Sequence, residues 1–259
     1  MSKKVFLIAS LLLCAAVAAQ AEDSQLGVTL DFTYLSKWMV KGSEGYGQQG
    51  ALLKTIDLDL WGTGFGTAFT HREATASGYV DKERLEPALY YHNGLFSDDP
   101  YAIKYKVQWT YKSYPNRARD VGNTQEWMFA VSWPKILPDG LVPKYEAYYE
   151  YPAGSNYDNS DFTGWFHIFG LGYDLAVTPV LPEMTEQILH LSVSIAYRDG
   201  LGGRAIDHDW SHVTFGLSTG VQITDNLVLV PTLYHQISMD DSVCRNDVTY
   251  CKLSAKYKF

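Results

Sequence analysis

Sustained alternation of apolar and polar side chains constrains this chain more than any other feature. A strand that crosses a bilayer needs about 9–11 residues at its usual tilt, one face toward lipid and the other toward a lumen. From Cys251 to Phe259, Leu253, Ala255, Tyr257 and Phe259 share one face, while Lys252, Ser254, Lys256 and Lys258 share the other. From Tyr101 to Lys112, Ile103, Tyr105, Val107, Trp109 and Tyr111 alternate with Lys104, Lys106, Gln108, Thr110 and Lys112. At helical spacing those lysines would scatter around the axis, so the period is two.

The pattern recurs along the chain. Val28, Leu30, Phe32, Tyr34 and Trp38 interleave with Thr29, Asp31, Thr33 and Lys37, and Ile56, Leu58 and Leu60 enclose Asp57 and Asp59. Further strands are expected around Leu85–Tyr91, Trp127–Trp133, Tyr145–Tyr151, Leu189–Tyr197 and Val213–Val221. Segments 64–74, 162–175 and 226–238 are less regular, and Pro231 counts against an orthodox ladder in the last of them. Short connections (62–64, 97–100, 134–140, 178–186, 224–226) alternate with longer polar ones (42–49, 74–82, 113–122, 153–161, 199–209, 239–248). That is how outer-membrane barrels are built, the longer loops facing outward. The expected fold is all-β: one transmembrane antiparallel up-and-down β-barrel of about twelve strands, ten or fourteen being the neighbouring even solutions, with both termini periplasmic. An exported β-sandwich would also alternate. The alternating connections, the aromatics near strand ends and the final Phe259 weigh against it.

The N-terminus explains how such a chain would reach a membrane. Lys3 and Lys4 precede an apolar run from Val5 to Ala19, and Ala19-Gln20-Ala21 offers small residues at a cleavage site. These are the parts of a secretory signal, so residues 1–21 are expected to be removed after Ala21, leaving 22–259 as a single barrel domain. Loss of Lys3 and Lys4 moves the formal charge from −8 to −10, which argues against nucleic acid as a partner. After residue 21 no run approaches the roughly 18 apolar residues of a spanning helix, so only a closed barrel could cross a bilayer. Cys14 is expected to leave with the signal. Cys244 and Cys251, with six residues between them in an exported hairpin, are expected to form a disulfide.

Tyr257 and Phe259 close the last strand as aromatics on one face. This resembles the C-terminal strand by which bacterial outer-membrane β-barrels are recognised by the barrel-insertion machinery. The opening run from Val28 to Gly42 is similar to that of the TorF-like porin family, with Trp38, Lys41, Gly42, Gln48 and Gln49 in comparable places. Lys41 stands where that family usually has Arg. The resemblance implies a pore-like role in the outer membrane of a Gram-negative bacterium, with no defined substrate.

Inward residues would decide what passes. Alternation assigns Lys37, Asp57, Asp59, Arg84, Lys104, Lys106, Lys112, Lys144, Arg198, Lys252, Lys256 and Lys258 to the pore lining, together with Lys41, Asp31, Glu86, Glu126, Glu146 and Glu150. Basic groups outnumber acids there, and a one-sign wall enriches the opposite ion. The expected function is passive diffusion of small hydrophilic solutes with a mild anion preference; the expected surroundings are outer-membrane lipid. The alternative is a non-conducting structural or adhesive barrel. A lipid-modifying enzyme is a weaker one: His208-Asp209-Trp210-Ser211-His212 holds triad residue types, but adjacent strand residues face opposite ways and no Gly-x-Ser-x-Gly elbow exists. His167, His190 and His235 lack metal-ligand spacing, and Ser43–Gly50 lacks a phosphate-loop context, so no metal and no cofactor are expected.

Overall fold

The computed structural model describes residues 26–79, 82–116, 122–138, 140–154, 163–179, 186–201 and 208–259; the expected signal segment 1–21 lies outside them. Fifteen strands follow in order: β1 (Gly27–Leu35), β2 (Met39–Val40), β3 (Ser43–Gln48), β4 (Ala51–Asp59), β5 (Phe65–Ala74), β6 (Glu83–Leu95), β7 (Ile103–Lys112), β8 (Thr124–Ser132), β9 (Leu141–Pro152), β10 (Gly164–Val177), β11 (Gln187–Asp199), β12 (Asp209–Thr219), β13 (Val221–Thr224), β14 (Leu227–Ser238) and β15 (Val248–Lys258). Every neighbour in the wall is antiparallel, β1 pairs with both β4 and β15, and β12 pairs with β14, so the sheet closes on itself. β13 continues β12 beyond Gly220, and β2 and β3 form a separate ribbon, leaving twelve staves in the wall. Closure leaves no edge, which is the condition for a sheet in hydrocarbon.

The registers fix which face looks where. Phe32 is 57% and Leu89 58% exposed on the outside, whereas their inward neighbours Thr33 and Ala88 are 8% and 5% exposed. Apolar side chains point out and polar ones in, the reverse of a water-soluble sandwich. Each large apolar side chain removed from water contributes roughly 1.5–3 kcal/mol, so such a belt demands lipid around it. Aromatics gather at both rims of the belt. Phe65, Tyr91 and Tyr105 are in ring contact at the end carrying the short turns, with centroids 4.6 and 6.1 Å apart. Tyr149 and Trp165 (4.9 Å) and Tyr197 and Trp210 (5.2 Å) do the same at the end carrying the longer loops. A ring with one wet end favours those levels.

The three irregular segments are strands, β5, β10 and β14. Pro231 is tolerated in β14 because pairing on its β12 side stops at Thr232↔Ser218 and resumes with β13 at Leu229↔Val221. A residue without a donor fits where the ladder is already broken. The first strand is shorter than expected. It ends at Leu35, so Lys37 falls in the bend before β2 and not on the wall.

The cysteine expectation is corrected: Cys244 and Cys251 are both free. Cys251 faces outward on β15 beside Leu253, in register with Leu233. Cys244 is buried in the preceding turn, where its backbone N–H and that of Val243 both donate to Asp240 O, and its thiol donates to Asn246 O at 3.3 Å. The turn turns one thiol inward while the strand sends the other to the lipid side. Thiol titration of the unfolded, unreduced mature chain should therefore count two reactive groups; a count of zero would restore the bridge.

Candidate functional site

The connection between β1 and β4 does not stand out in solvent. Its ribbon turns at Lys41-Gly42, both with positive φ (47° and 91°), between the paired Val40 and Ser43. Two left-handed residues make the tight hairpin turn that suits twisted strands, and glycine takes the second place at no steric cost. Glycine is needed there for a second reason: a Cβ on residue 42 would run into the His212 ring.

This ribbon crosses the lumen. At its root the Trp38 ring lies 3.6 Å beneath the Arg72 guanidinium, and Tyr46 packs against Trp38 and Tyr79. At its tip Lys41 Nζ stands 2.6 Å from Glu126 and 2.5 Å from Glu150, on β8 and β9. Those staves lie across the ring from β1 and β4. Lys112 Nζ meets the same two carboxylates at 2.7 and 3.0 Å. Arg198 Nη2 donates to Lys41 O (2.5 Å) and Ser43 Oγ (3.0 Å), and Gln236 Nε2 donates to Gly42 O at 2.8 Å. The Ser43 hydroxyl and the carbonyls of Lys41 and Gly42 on the ribbon thus meet donors from two staves of the wall, β11 and β14.

The level is filled. Lys112 and Arg198 are each 4% and Gln236 1% exposed, although all three are inward residues of a barrel wall. Charges this dry persist only when paired and hydrogen-bonded. Two lysines on two glutamates satisfy that, as does Arg84 on Glu86, whereas Arg72 reaches Glu86 through Nη2 alone and its buried Nε and Nη1 have no hydrogen-bond partner among the described residues. Arg72 meets Glu86 at 3.0 Å; its remaining face is the one on Trp38.

Toward the turn end the lumen opens into a cavity of about 640 Å³ bordered by the 62–64 turn, His92, Lys104, Lys106, Ser132 and Lys144. Across the wall from these lysines, Asp57 accepts from the Tyr90 hydroxyl at 2.8 Å, and Asp59 stands 3.7 Å from His92. At the closing seam Asp31 is 3.9 Å from Lys256, and Lys252 lies 5.8 Å from the Tyr234 ring. Register puts Asp57, Asp59, Arg84, Lys104, Lys106, Lys112, Lys144, Arg198, Lys252, Lys256 and Lys258 on the inner face. Two sets among them stand apart. Arg84, Lys112 and Arg198 are engaged in the filled level, while Lys104, Lys144 and Lys258 are exposed and meet no carboxylate within ion-pair distance among the described residues.

Several members of this site were missed in the sequence. Arg72, Trp38, Tyr46 and Gln236 carry the ribbon, and the available signal was two aromatics amid Gly42, Gly45 and Gly47 in a connection otherwise read as solvated. The Ser211–His212 pair also departs from expectation. A bulge between Ala196 and Tyr197 makes Ser211 the extra residue, so its Oγ lies 2.8 Å from His212 Nδ1 although the two are adjacent. Ser211 is 0% exposed and His212 faces Gly42; His208 pairs instead with Asp199 at 2.7 Å, and Asp209 caps the Trp210 amide. The pair braces the ribbon.

No protein-family profile and no curated protein matches the chain. Solved structures do match its shape. The KdgM porin superposes with a TM-score of 0.55 at 11% identity, covering 89% of this chain and 99% of that one. The NanC porin gives 0.51 at 9% identity over 91% and 100%. An outer-membrane channel from Pseudomonas putida F1 gives 0.51 at 12% identity over 92% and 97%. At such identities the likeness speaks for the fold: this is a twelve-stranded barrel of the outer-membrane type.

Proposed function

We propose that the chain is an outer-membrane channel for passive diffusion of small hydrophilic solutes, mildly anion-preferring, with the β2–β3 ribbon as its constriction. The observation that carries this reading is the set of water-exposed inner-wall lysines, Lys104, Lys144 and Lys258, left without carboxylate partners among the described residues. Unneutralised charge of one sign in a confined passage raises the local concentration of counter-ions. The porin and channel folds of its structural neighbours point the same way. In this reading the turn end and both termini face the periplasm, the apolar belt meets lipid, and Tyr257 and Phe259 (centroids 4.9 Å apart) present the insertion machinery with its aromatic cue. Reversal potentials across planar bilayers in a salt gradient test the charge argument. Openings of the refolded protein should favour chloride over potassium, and cation selectivity would overturn the proposal.

One observation favours a second reading. The level of Lys41, Glu126 and Glu150 is dry, so a ribbon that never moved would make the barrel a non-conducting, structural one. Absence of any unitary current from correctly folded protein would select it.

A further inference from the structure

One row of the inner wall at the turn end differs from the row above it. Direct register across five staves reads Gly94, Lys104, Ser132, Lys144, Gly170. Facing side chains on adjacent strands stand about 4.5–5.5 Å apart at Cβ, so Ser132 sits on a floor flanked by two lysines, with glycine beyond each. The row above has its charges engaged by the next row: Lys106 lies 4.2 Å from the Tyr90 ring, and Glu146 accepts the Tyr148 hydroxyl at 2.5 Å. The lower row's are not. Lys104 and Lys144 are exposed and unpaired among the described residues, and the Ser132 hydroxyl has no partner there. The Lys144 side chain leans toward β10, where a Cβ on residue 172 would stand 3.5 Å from its Nζ, and the glycines there leave it room to turn back over Ser132.

From this we infer that the Lys104–Ser132–Lys144 row is a binding site for the carboxylate or phosphate head of a small solute. Two ammonium donors and a hydroxyl on a glycine-bordered floor match the oxygens of one such head, and charge-assisted hydrogen bonds of this kind are about twice as strong as neutral ones. The cavity over the row, about 640 Å³, lies within the size of small-molecule sites. Glu146, one row up, limits the ligand to a single anionic head, because a second anionic group would meet a carboxylate. This deepens the channel reading and rests on it for its biological use, though the site itself needs only the wall. In a pore it would be the place where a permeating anion pauses at the inner mouth.

The test titrates inorganic phosphate, and separately acetate, into the detergent-refolded mature protein, read by calorimetry and by phosphorus line broadening. Saturable binding is expected, weakened on the order of tenfold or more in the Lys104→Ala/Lys144→Ala variant. It should survive in Lys104→Arg/Lys144→Arg, and in Lys82→Ala/Arg245→Ala, which removes the same charge from exposed positions in the longer loops. Heat-shifted gel mobility verifies that each variant folds. Non-saturable binding of both anions, or an unchanged affinity in the double alanine variant, would overturn the site. Phosphate saturation without acetate saturation assigns it to phosphate heads, and the converse to carboxylates. The channel reading fails separately: saturable binding without conductance ends it and keeps the site, while anion-selective conductance without saturable binding does the opposite.

Discussion

Replacing residues 39–48 with two glycines is expected to raise single-channel conductance by roughly fivefold or more, the largest effect any change to this protein should have on passage. A twelve-stranded wall lies between the barrels that side chains fill and the 16–18-stranded porins with an aqueous channel, so what occupies its interior decides its width. Here the occupant is the ribbon. It reaches from the Arg72–Trp38 stack to Glu126 and Glu150 on the far side, with Arg198 and Gln236 holding its turn. Without it, Lys112, Glu126, Glu150 and Arg198 would meet water in an open bore. The wall itself should persist, because β1 and β4 remain paired from Gly27↔Asp59 to Leu35↔Ala51. If the shortened protein conducts no better than the parent, the lumen is closed somewhere else and the constriction has been misassigned.

The second large effect concerns stability. Glu150→Ala should cost about 3–5 kcal/mol, because it leaves a dry excess of positive charge where Lys41 and Lys112 now share two carboxylates. Glu150 is only 9% exposed and also accepts the Thr124 hydroxyl at 2.8 Å, so little water stands ready to replace it. The pair variant Lys112→Met/Glu150→Met should recover most of that loss, since it removes one charge of each sign and leaves Lys41 on Glu126, at 2.6 Å. Urea midpoints in lipid vesicles measure both. A cost below about 1 kcal/mol for Glu150→Ala would mean that these groups behave as a surface pair does. The level would then be hydrated and the passage open.

Much of the wall was legible because its chemistry is local. The final strand writes its two faces as Leu253-x-Ala255-x-Tyr257 against Lys252-x-Ser254-x-Lys256, a period that a strand has and a helix does not. β5 was blurred by its environment. His71 and Glu73 face outward, pairing with Glu83 at 2.9 Å and Lys54 at 2.8 Å at the loop-end rim, so the lipid side there reads as polar and hides the inward Arg72. The path of the ribbon was not legible at all. That Lys41 faces the interior agrees with the alternation, but for a different reason: a hairpin carries it there, not a continuation of β1. Contacts separated by more than a hundred residues, such as Lys41 with Glu150 or Gln236 with Gly42, leave no periodic trace in a single sequence. The free cysteines make the same point, since spacing says nothing about which side of the sheet a thiol takes.

The ribbon is also a strut. It joins β5 to β8, β9, β11 and β14 across the full diameter, so the barrel cannot flatten into an ellipse without stretching it. Squeezing by the surrounding bilayer would therefore load the contacts of Lys41, Arg198 and Gln236 at the tip together.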